Sequence, residues 1–321
     1  AQLNGALGVA TFTIGSEPES GPKFFNTYAI VTSNVDNGVQ LILLDDPTAI
    51  VAQDSHVDGD TPVTVKCKEL DGARGVDTFV YDDSPTAIVA SYVDDGIQMI
   101  DMGDPTAIDC EGQKTDNDNR QLDGASGVDI FTIGSSTYAI VASYDDGGVQ
   151  IIDISDPESP RTKDDKTDES NGFTMLEGAR GVDTFVIGSS TYAIVASYND
   201  DGVQIIDISD PTAIVALDAE TDGKNGFTEL DGANSVDTFT CGSHTYAIVA
   251  SFLDNGVQLI DVTVPSNIVA IDAQTDESNG FTMLEGAYDV ETFTISGHIY
   301  AIVVSLLDNG VQMIDLPCLR Q

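Results

Sequence analysis

The sequence has no tryptophan and few basic residues: 12 Lys and Arg stand against 54 Asp and Glu, for a formal net charge of −42. A surface of this sign repels nucleic acid and anionic membranes, because both are bound through Lys and Arg. It suits divalent cations, basic partners or a salty medium, although acid also keeps a repeat protein soluble. Apolar residues still make up 41% of the chain, which argues against disorder.

Membrane and secretion signals are also missing. No run approaches the roughly 18 apolar residues of a membrane span, so membrane insertion is not expected. No signal peptide is recognisable, although Ala1–Gln2–Leu3 could be what remains after one is cleaved. The sequence has no Asn-x-Ser/Thr acceptor, so N-glycosylation is not expected.

The usual signatures of catalysis do not occur. There is no Gly-x-Ser-x-Gly, His-Glu-x-x-His or phosphate-binding loop. The three histidines, His56, His244 and His298, lie in different parts of the chain, and none recurs beside a serine to act as its base. The sequence therefore predicts a protein that is not an enzyme.

What the chain does contain is an internal repeat. Thr137 to Pro157 reads TYAIVASYDDGGVQIIDISDP and returns nearly unchanged from Thr191 to Pro211. Looser copies begin at Thr27, Thr86, Thr245 and Ile299. A repeat of this length determines the fold before any single residue is considered. The six repeats cover approximately 1-69, 70-121, 122-175, 176-229, 230-283 and 284-321.

The fourth repeat shows the plan of one unit. Gly181 to Ile187 and Tyr192 to Tyr198 are β-branched, apolar runs that predict two strands. A hairpin turn, in which glycine is expected to supply the positive φ, leads to a third strand over Val203 to Ile208. After the break at Asp210-Pro211, a more polar fourth strand is predicted over Thr212 to Asp218.

Six units of four antiparallel strands predict an all-β fold, a six-bladed β-propeller in a single domain over 1-321. The second strands, such as Ala139-Ile140-Val141-Ala142, are apolar on both faces, so each should lie between two neighbouring sheets. An open solenoid of the same hairpins also buries both faces and is the alternative architecture. No segment combines a helical period with adequate length.

The pairing of YAIVAS with GVQIIDISDP resembles the LVIVD repeat of β-propellers in surface or secreted proteins of archaea and bacteria. The resemblance covers essentially the whole chain. It implies the propeller fold and an extracellular or cell-surface location, and it implies no catalytic residues. The first repeat departs from the pattern at Leu41-Ile42-Leu43-Leu44, and the last departs from it at Leu316-Pro317-Cys318.

The last blade should lack its outer strand, because the sixth repeat stops just after its third. Ala1-Gln2-Leu3 is too short to supply the missing strand. The free edge would then offer unpaired N–H and C=O groups to a partner chain, which could be an identical copy in a head-to-tail fibre. A closed three-stranded blade is the alternative. The predicted interface consists of Met313, Ile314, Asp315, Leu316, Ala1, Gln2 and Leu3.

Two sets of acids are candidates for Ca²⁺, which prefers carboxylate and carbonyl oxygens. The first lies in the hairpin turns, where Asp-Gly is also an ordinary turn sequence; it comprises Asp94, Asp95, Asp145, Asp146, Asp200 and Asp201, with Asp36, Asp254 and Asp308 at related positions. The inter-blade loops at 164–168 and 276–279 are similar, weaker candidates.

The second set falls in the first strands, which line the channel of a propeller, and comprises Asp77, Asp129, Asp183, Asp237 and Glu291. These carboxylates would repel one another unless they bind a cation or water, or cap backbone N–H groups. A third recurrent acid ends the third strand, as at Asp153 and Asp207, and is expected to fix the following turn.

The four cysteines are even in number and fit no zinc spacing, so they predict two disulfides in an oxidising compartment; buried free thiols are the alternative. In a propeller, Cys241 and Cys318 would lie at the same ends of strands in adjacent blades. Cys67 and Cys110 would lie in or just after the outer strands of the first two blades.

We therefore expect an extracellular structural or adhesive protein that acts by protein–protein interaction, with Ca²⁺ as a candidate bridging ion. A carbohydrate-binding propeller is one alternative, although its sites normally stack sugars on Trp or Tyr; here only Tyr92, Tyr144 and Tyr198 recur. A hydrolase or lyase with one asymmetric pocket, housed in the atypical first repeat, is the other.

Overall fold

The fold is an all-β, six-bladed β-propeller, as predicted. It is seen in a computed structural model that describes residues 3–16, 24–46, 48–59, 67–116 and 121–316. These residues form six antiparallel sheets, or blades, and no helix. Five blades have four strands and the last has three, and consecutive strands are neighbours in every blade.

The first three blades contain twelve strands: β1 Ala6–Ser16, β2 Phe24–Ser33, β3 Gly38–Leu43 and β4 Val51–Val57; β5 Ala73–Tyr81, β6 Ser84–Ser91, β7 Gly96–Asp101 and β8 Asp109–Thr115; β9 Ala125–Ile133, β10 Ser136–Ser143, β11 Gly148–Asp153 and β12 Arg161–Thr167. The last three contain eleven: β13 Ala179–Ile187, β14 Ser190–Ser197, β15 Gly202–Asp207 and β16 Val215–Thr221; β17 Ala233–Cys241, β18 His244–Ser251, β19 Gly256–Asp261 and β20 Val269–Thr275; β21 Ala287–Ile295, β22 His298–Ser305 and β23 Gly310–Leu316.

The chain divides into two compact units. One contains Ala1–Ser143 and Gln150–Lys163, and the other contains Tyr144–Val149 and Asp164–Gln321. Each unit is built from the same kind of blade, and the packing described below holds within each of them. The single-domain organisation inferred from the repeat remains a prediction.

The fourth strand begins later than the sequence pattern predicts. It was expected over Thr212 to Asp218, but β16 covers Val215–Thr221. The reason is the turn before it: the Asp210 carboxylate accepts hydrogen bonds from the backbone N and the hydroxyl of Thr212, at 3.0 and 2.7 Å. These bonds fold the chain after Asp-Pro, so that the strand starts only at Val215.

The core of each unit lies between neighbouring blades. Ala139, Ile140, Val141 and Ala142 of β10 are all fully buried, which confirms that the second strand is covered on both faces. In the second unit, Ile194 and Val203 of one blade pack with Leu230 and Val236 of the next. In the first unit, Ile30 and Leu41 pack in the same way with Leu70 and Val89. Blade-to-blade contact is therefore the main apolar interaction of the fold.

The hairpin turn corrects one prediction about glycine. The positive φ is adopted by the residue before it, Asp201, at 51°, an acid that tolerates this conformation. Gly202 has another role: a Cβ there would lie 2.5 Å from the backbone oxygen of Glu220, so only glycine lets β15 and β16 approach.

Gly202→Ala should therefore cost about 3 kcal/mol of unfolding free energy, because the obstacle is backbone that cannot move aside. The control is Gly188→Ala, where φ is +67° and no atom lies within 4 Å; it should cost only about 1 kcal/mol. Denaturant unfolding would compare them. Equal losses would show that close approach does not explain Gly202.

Candidate functional site: acidic clusters and end blades

The paired acids of the hairpin turns hold the backbone in place. The first acid caps its own blade: Asp200 Oδ2 accepts from the N of Glu177 at 2.8 Å. The second caps the next blade: Asp201 Oδ1 accepts from the N of Gly232 at 3.0 Å. Asp94 and Asp95 of the second blade repeat both contacts, with Asp71 and Gly124.

In the third blade, Asp145 is exposed and Asp146 is partly buried. The other two turn acids in the fifth and sixth blades cap their own blades, as Asp254 accepts from Asp231 and Asp308 from Glu285. The turn role of these residues is thus visible in the hydrogen bonds. Binding of a cation by the same side chains stays a prediction.

One cluster of acids has oxygens close enough to share an ion. Single carboxylate oxygens of Asp168, Glu177 and Asp200 lie within 4.8 Å of one another. Desolvation, together with the charges of Asp168 and Glu177, raises the pKa of Asp200 to about 6. The sequence pattern had pointed to Asp200 and, more weakly, to Asp168, but it missed Glu177, whose position before Gly178 marks only the start of a repeat.

The following blade has a similar acidic grouping. The pKa of Asp254 is raised to about 6 by desolvation and by the charges of Asp222, Asp231 and Asp201. At the next junction, a polar cleft of about 350 Å³ is lined by Asp254, Asn255, Thr275, Asp276, Glu277 and Glu285. The loop acids of 276–279 thus lie beside the turn acids, as the spacing of the repeat implies.

The carboxylates of the first strands connect one blade to the next. Asp183 Oδ2 accepts from the backbone N of Thr238 at 2.7 Å, and Asp237 Oδ2 accepts from Thr292 at 2.7 Å. Within the other unit, Asp77 Oδ2 accepts from Ile130 at 3.0 Å. Of the two roles left open by the sequence, capping of backbone N–H groups is the one observed. It acts between blades and also locally, since Asp77 Oδ1 accepts from the N of Thr78 at 2.7 Å.

The other members of this set differ in exposure. Asp129 is partly buried and is hydrogen-bonded to the Asp77 side chain. Glu291, in the last blade, is exposed. Among the partly buried members, desolvation and then the charge of Asp237 raise the pKa of Asp183 to about 7. Burial and the neighbouring charge therefore favour the protonated form of this carboxyl.

The acid that ends the third strand fixes the next turn, as predicted. Asp153 Oδ1 accepts from the N of Ser155, and Asp207 Oδ1 accepts from the N of Ser209, at 3.1 and 2.9 Å. The equivalent Asp261 also lies 3.2 Å from His244 Nδ1, with Thr263 Oγ1 at 3.3 Å from the same nitrogen. In a Ser-His-Asp triad the carboxylate and the hydroxyl contact different nitrogens of the histidine ring. Here both lie next to Nδ1, so the arrangement is not such a triad.

The other two histidines also make structural contacts. His56 Nε2 lies 2.7 Å from the carbonyl oxygen of Ile108. The ring of His298 packs against Tyr300, with centroids 6.4 Å apart. The histidines therefore offer no arrangement that resembles a catalytic base beside a nucleophile, and the prediction that the protein is not an enzyme remains a prediction.

The recurrent tyrosines pack with arginine. A β-bulge between Ala179 and Gly181 leaves Arg180 unpaired in the ladder. Its guanidinium lies 4.6 Å from the ring centroid of Tyr144 and 4.4 Å from that of Tyr198. Arg74 stacks on Tyr92 in the same way. These rings are engaged in cation–π contacts. This supports a role of the tyrosines in packing rather than in stacking against a bound sugar.

The cysteines form disulfides. Cys67 and Cys110 are bonded to each other, with Cα atoms 5.3 Å apart, which confirms that predicted pair. Cys241 is also disulfide-bonded; its predicted partner, Cys318, lies outside the described residues, as do Ala1 and Gln2. Among the residues described, there is no helix with the length and hydropathy of a membrane span.

The two end blades expose apolar faces that are covered elsewhere. In the first blade, Val9 is 62% exposed, whereas its counterpart Val290 is 3% exposed. In the last blade, Val311 is 58% exposed, whereas its counterpart Val257 is 4% exposed. The first blade also has a cleft of about 320 Å³ between Leu3 and the start of β3.

The last blade also has a free edge. β23 pairs with β22, and no described strand pairs with its other side. In the preceding blade, the equivalent β19 pairs with β20. Of the predicted interface residues, Met313 and Asp315 are exposed while Ile314 and Leu316 are buried, and Leu3 is 37% exposed.

Comparison with known proteins supports the fold. No protein-family model and no curated protein matches the sequence. The chain is similar to a solved structure from Lactobacillus plantarum, at 11% identity and a TM-score of 0.59, over 97% of this chain and 96% of the other. It is also similar to a protein of unknown function from Desulfotomaculum acetoxidans, at 13% identity and a TM-score of 0.57, over 90% and 86%.

A third similar structure is the periplasmic gluconolactonase PpgL of Pseudomonas aeruginosa, at 11% identity and a TM-score of 0.59, over 97% of each chain. Identities this low show a shared fold and nothing about activity. The match to an enzyme therefore does not favour the non-enzyme prediction, and it assigns no residue of this chain to catalysis.

Asp183→Asn should stabilise the protein above neutral pH. Asn keeps an oxygen for the Thr238 N–H and removes the charge. Folding raises the pKa of Asp183 from 3.8 to about 7. Between these two pH values the folded state binds more protons than the unfolded state, so the stability of the wild type falls as the pH rises from 3.8 to about 7. The variant should gain roughly 2 to 4 kcal/mol at pH 8 and little at pH 4.

Denaturant unfolding from pH 4 to pH 8 would measure this difference. Asp210→Asn is the matched control, because the pKa of Asp210 is lowered by its bonds to Thr212; it should give no gain at pH 8. An Asp183→Asn protein that is no more stable than the wild type at pH 8 would contradict the assignment.

Proposed function

We propose that this protein is an extracellular structural protein that acts by protein–protein interaction at its last blade. The observation that carries the proposal is the outer edge of β23, which pairs with no described strand, whereas its counterparts in the other blades are all paired. An exposed strand edge accepts a strand from a partner through main-chain hydrogen bonds. The disulfides are consistent with an oxidising compartment.

The added strand should resemble the outer strands of the protein itself. β20, with the sequence VAIDAQT, fills the equivalent place beside β19. Its register, in which Gly256 faces Thr275 and Asp261 faces Val269, defines the antiparallel arrangement that β23 would offer to a partner. Side chains on alternate positions would then select the sequence of the partner.

A synthetic peptide containing Val269 to Thr275 with its flanking residues should bind the protein and compete with its natural partner. The same peptide with Ala273→Pro is the control, since proline removes a main-chain donor and disfavours a strand. Fluorescence anisotropy would measure both. Equal affinity of the two peptides, or no binding of either, would contradict strand addition at β23.

The acidic cluster of Asp168, Glu177 and Asp200 supports a second element of the proposal, which is that Ca²⁺ binds there. Three carboxylates can supply up to six oxygens, and water can complete the six to eight that the ion takes. The pKa of Asp200 is raised first by desolvation and then by the charges of Asp168 and Glu177, and a divalent cation would relieve that repulsion.

Calorimetric titration with Ca²⁺ should therefore detect a site that Glu177→Gln weakens by about tenfold or more, because one charged ligand is lost. Glu158→Gln, which removes an exposed acid of the preceding blade, is the matched control and should leave the titration unchanged. The cluster would be purely structural if both variants titrate like the wild type.

A further inference from the structure

The junctions between blades follow one rule in both units. Each blade has an outgoing face, directed at the next blade, and an incoming face, directed at the preceding one. In the fifth blade the outgoing face includes Ile248, Ala250 and Val257. These residues pack on Leu284 and Val290, which belong to the incoming face of the sixth.

Two kinds of polar contact accompany this packing. The turn residue with positive φ accepts from a glycine N–H of the next blade, as in Asn37 to Gly72 and Asn255 to Gly286, at 3.4 and 2.8 Å. The carboxylate of the first strand accepts from the next first strand, as in Asp237 to Thr292 at 2.7 Å; the first blade has Ala10 at this position. These junctions thus have an apolar centre and one or two hydrogen bonds to backbone N–H groups of the next blade.

The last blade presents a complete outgoing face to solvent. Val304, Val311 and Met313 are 43%, 58% and 55% exposed. Asn309 has a positive φ of 52°, close to the 56° of its counterpart Asn255. Glu291 stands at the position of Asp237 and is exposed. The side chains that make a junction are therefore present, and described residues of this chain leave them exposed.

The first blade presents the matching incoming face. Leu3 and Val9 are 37% and 62% exposed, and Ala6 is also exposed. Their counterparts in the sixth blade, Leu284, Ala287 and Val290, are buried at the preceding junction. Gly5 and Thr11 stand where Gly286 and Thr292 donate their N–H groups.

We propose that the outgoing face of the last blade packs on the incoming face of the first blade of a second copy, so that copies associate head to tail. The repeat indicates which partner would cover this face. Within each unit, an outgoing face that is covered packs on an incoming face. The described residues of this chain leave the outgoing face of the last blade and the incoming face of the first blade exposed. Asn309 would accept from Gly5 of the second copy.

This inference rests on the proposed interaction at the last blade and names its partner and its contact surface. The surface is the face of the sheet, whereas strand addition uses its edge. A contact between two different surfaces is heterologous, so it can extend beyond a dimer. Because each copy has a net charge of −42, association should strengthen with salt or a divalent cation, which screens the repulsion.

Two face variants, Val9→Glu and Val311→Glu, test the proposal together. Both valines are exposed in the single chain, so neither change should alter the melting temperature. Each variant alone should remain monomeric at concentrations of about 100 µM, because one of its two faces carries a charge that cannot be buried. An equimolar mixture should form dimers and nothing larger, since one intact face of each kind remains.

Analytical ultracentrifugation of the wild type, both variants and the mixture would measure this, with Val186→Glu as the control at another 62% exposed valine. The control should assemble like the wild type. The proposal is overturned if the wild type is monomeric in high salt, if either face variant still assembles alone, or if the mixture does not dimerise. Lower melting temperatures of both variants would also overturn it, because the two valines would then not be exposed in the single chain.

The peptide experiment keeps this proposal separate from the proposed function. One possible result is that the outer-strand peptide binds and the wild-type protein does not self-associate. This result would support the proposed interaction at the last blade and would exclude a second copy as the partner. Assembly that depends on Val9 and Val311 but not on the peptide would retain the head-to-tail contact and exclude strand addition.

Discussion

The fold depends on covering two apolar faces of every blade. A blade in the middle of a unit has residues such as Ile248 and Val249 on opposite sides of the same strand, and both are buried. Neither side can be solvated without exposing apolar surface, which costs roughly 25 cal/mol for each Å². The need for neighbours on both sides explains why the same unit occurs six times along the chain.

The large excess of acid has a structural use within this scheme. Turns and inner strands bring backbone N–H groups to places where no ladder partner is available, and a carboxylate is a strong acceptor there. Outer strands use the same device, as Asp54 accepts from Ile108 and Asp218 accepts from Ile268 in the next blade. The consequence is a set of crowded carboxyls whose pKa values rise, as for Asp183. The resulting field favours cations and depends strongly on salt.

The repeat predicted the sheets, their order and the Cys67–Cys110 bond, because apolar periodicity and turn residues are local signals. It misplaced the fourth strand, since the bonds from Asp210 to Thr212 are invisible in the pattern. It missed Glu177, because the three acids of that cluster come from three separate segments. Nor could it distinguish Val9 from Val290, which occupy the same place in the repeat and differ only in what surrounds them.

The Cys67–Cys110 bond has a mechanical consequence. It spans 43 residues of sequence, and these include the three inner strands of the second blade. A tensile force applied along the chain would pass through the sulfur atoms and bypass those strands. About 150 Å of contour length within the enclosed segment would therefore be unable to extend under force. The second blade could not be stretched into an extended chain while the bond is intact. Reduction would release that length, and the protein would then extend further under the same load.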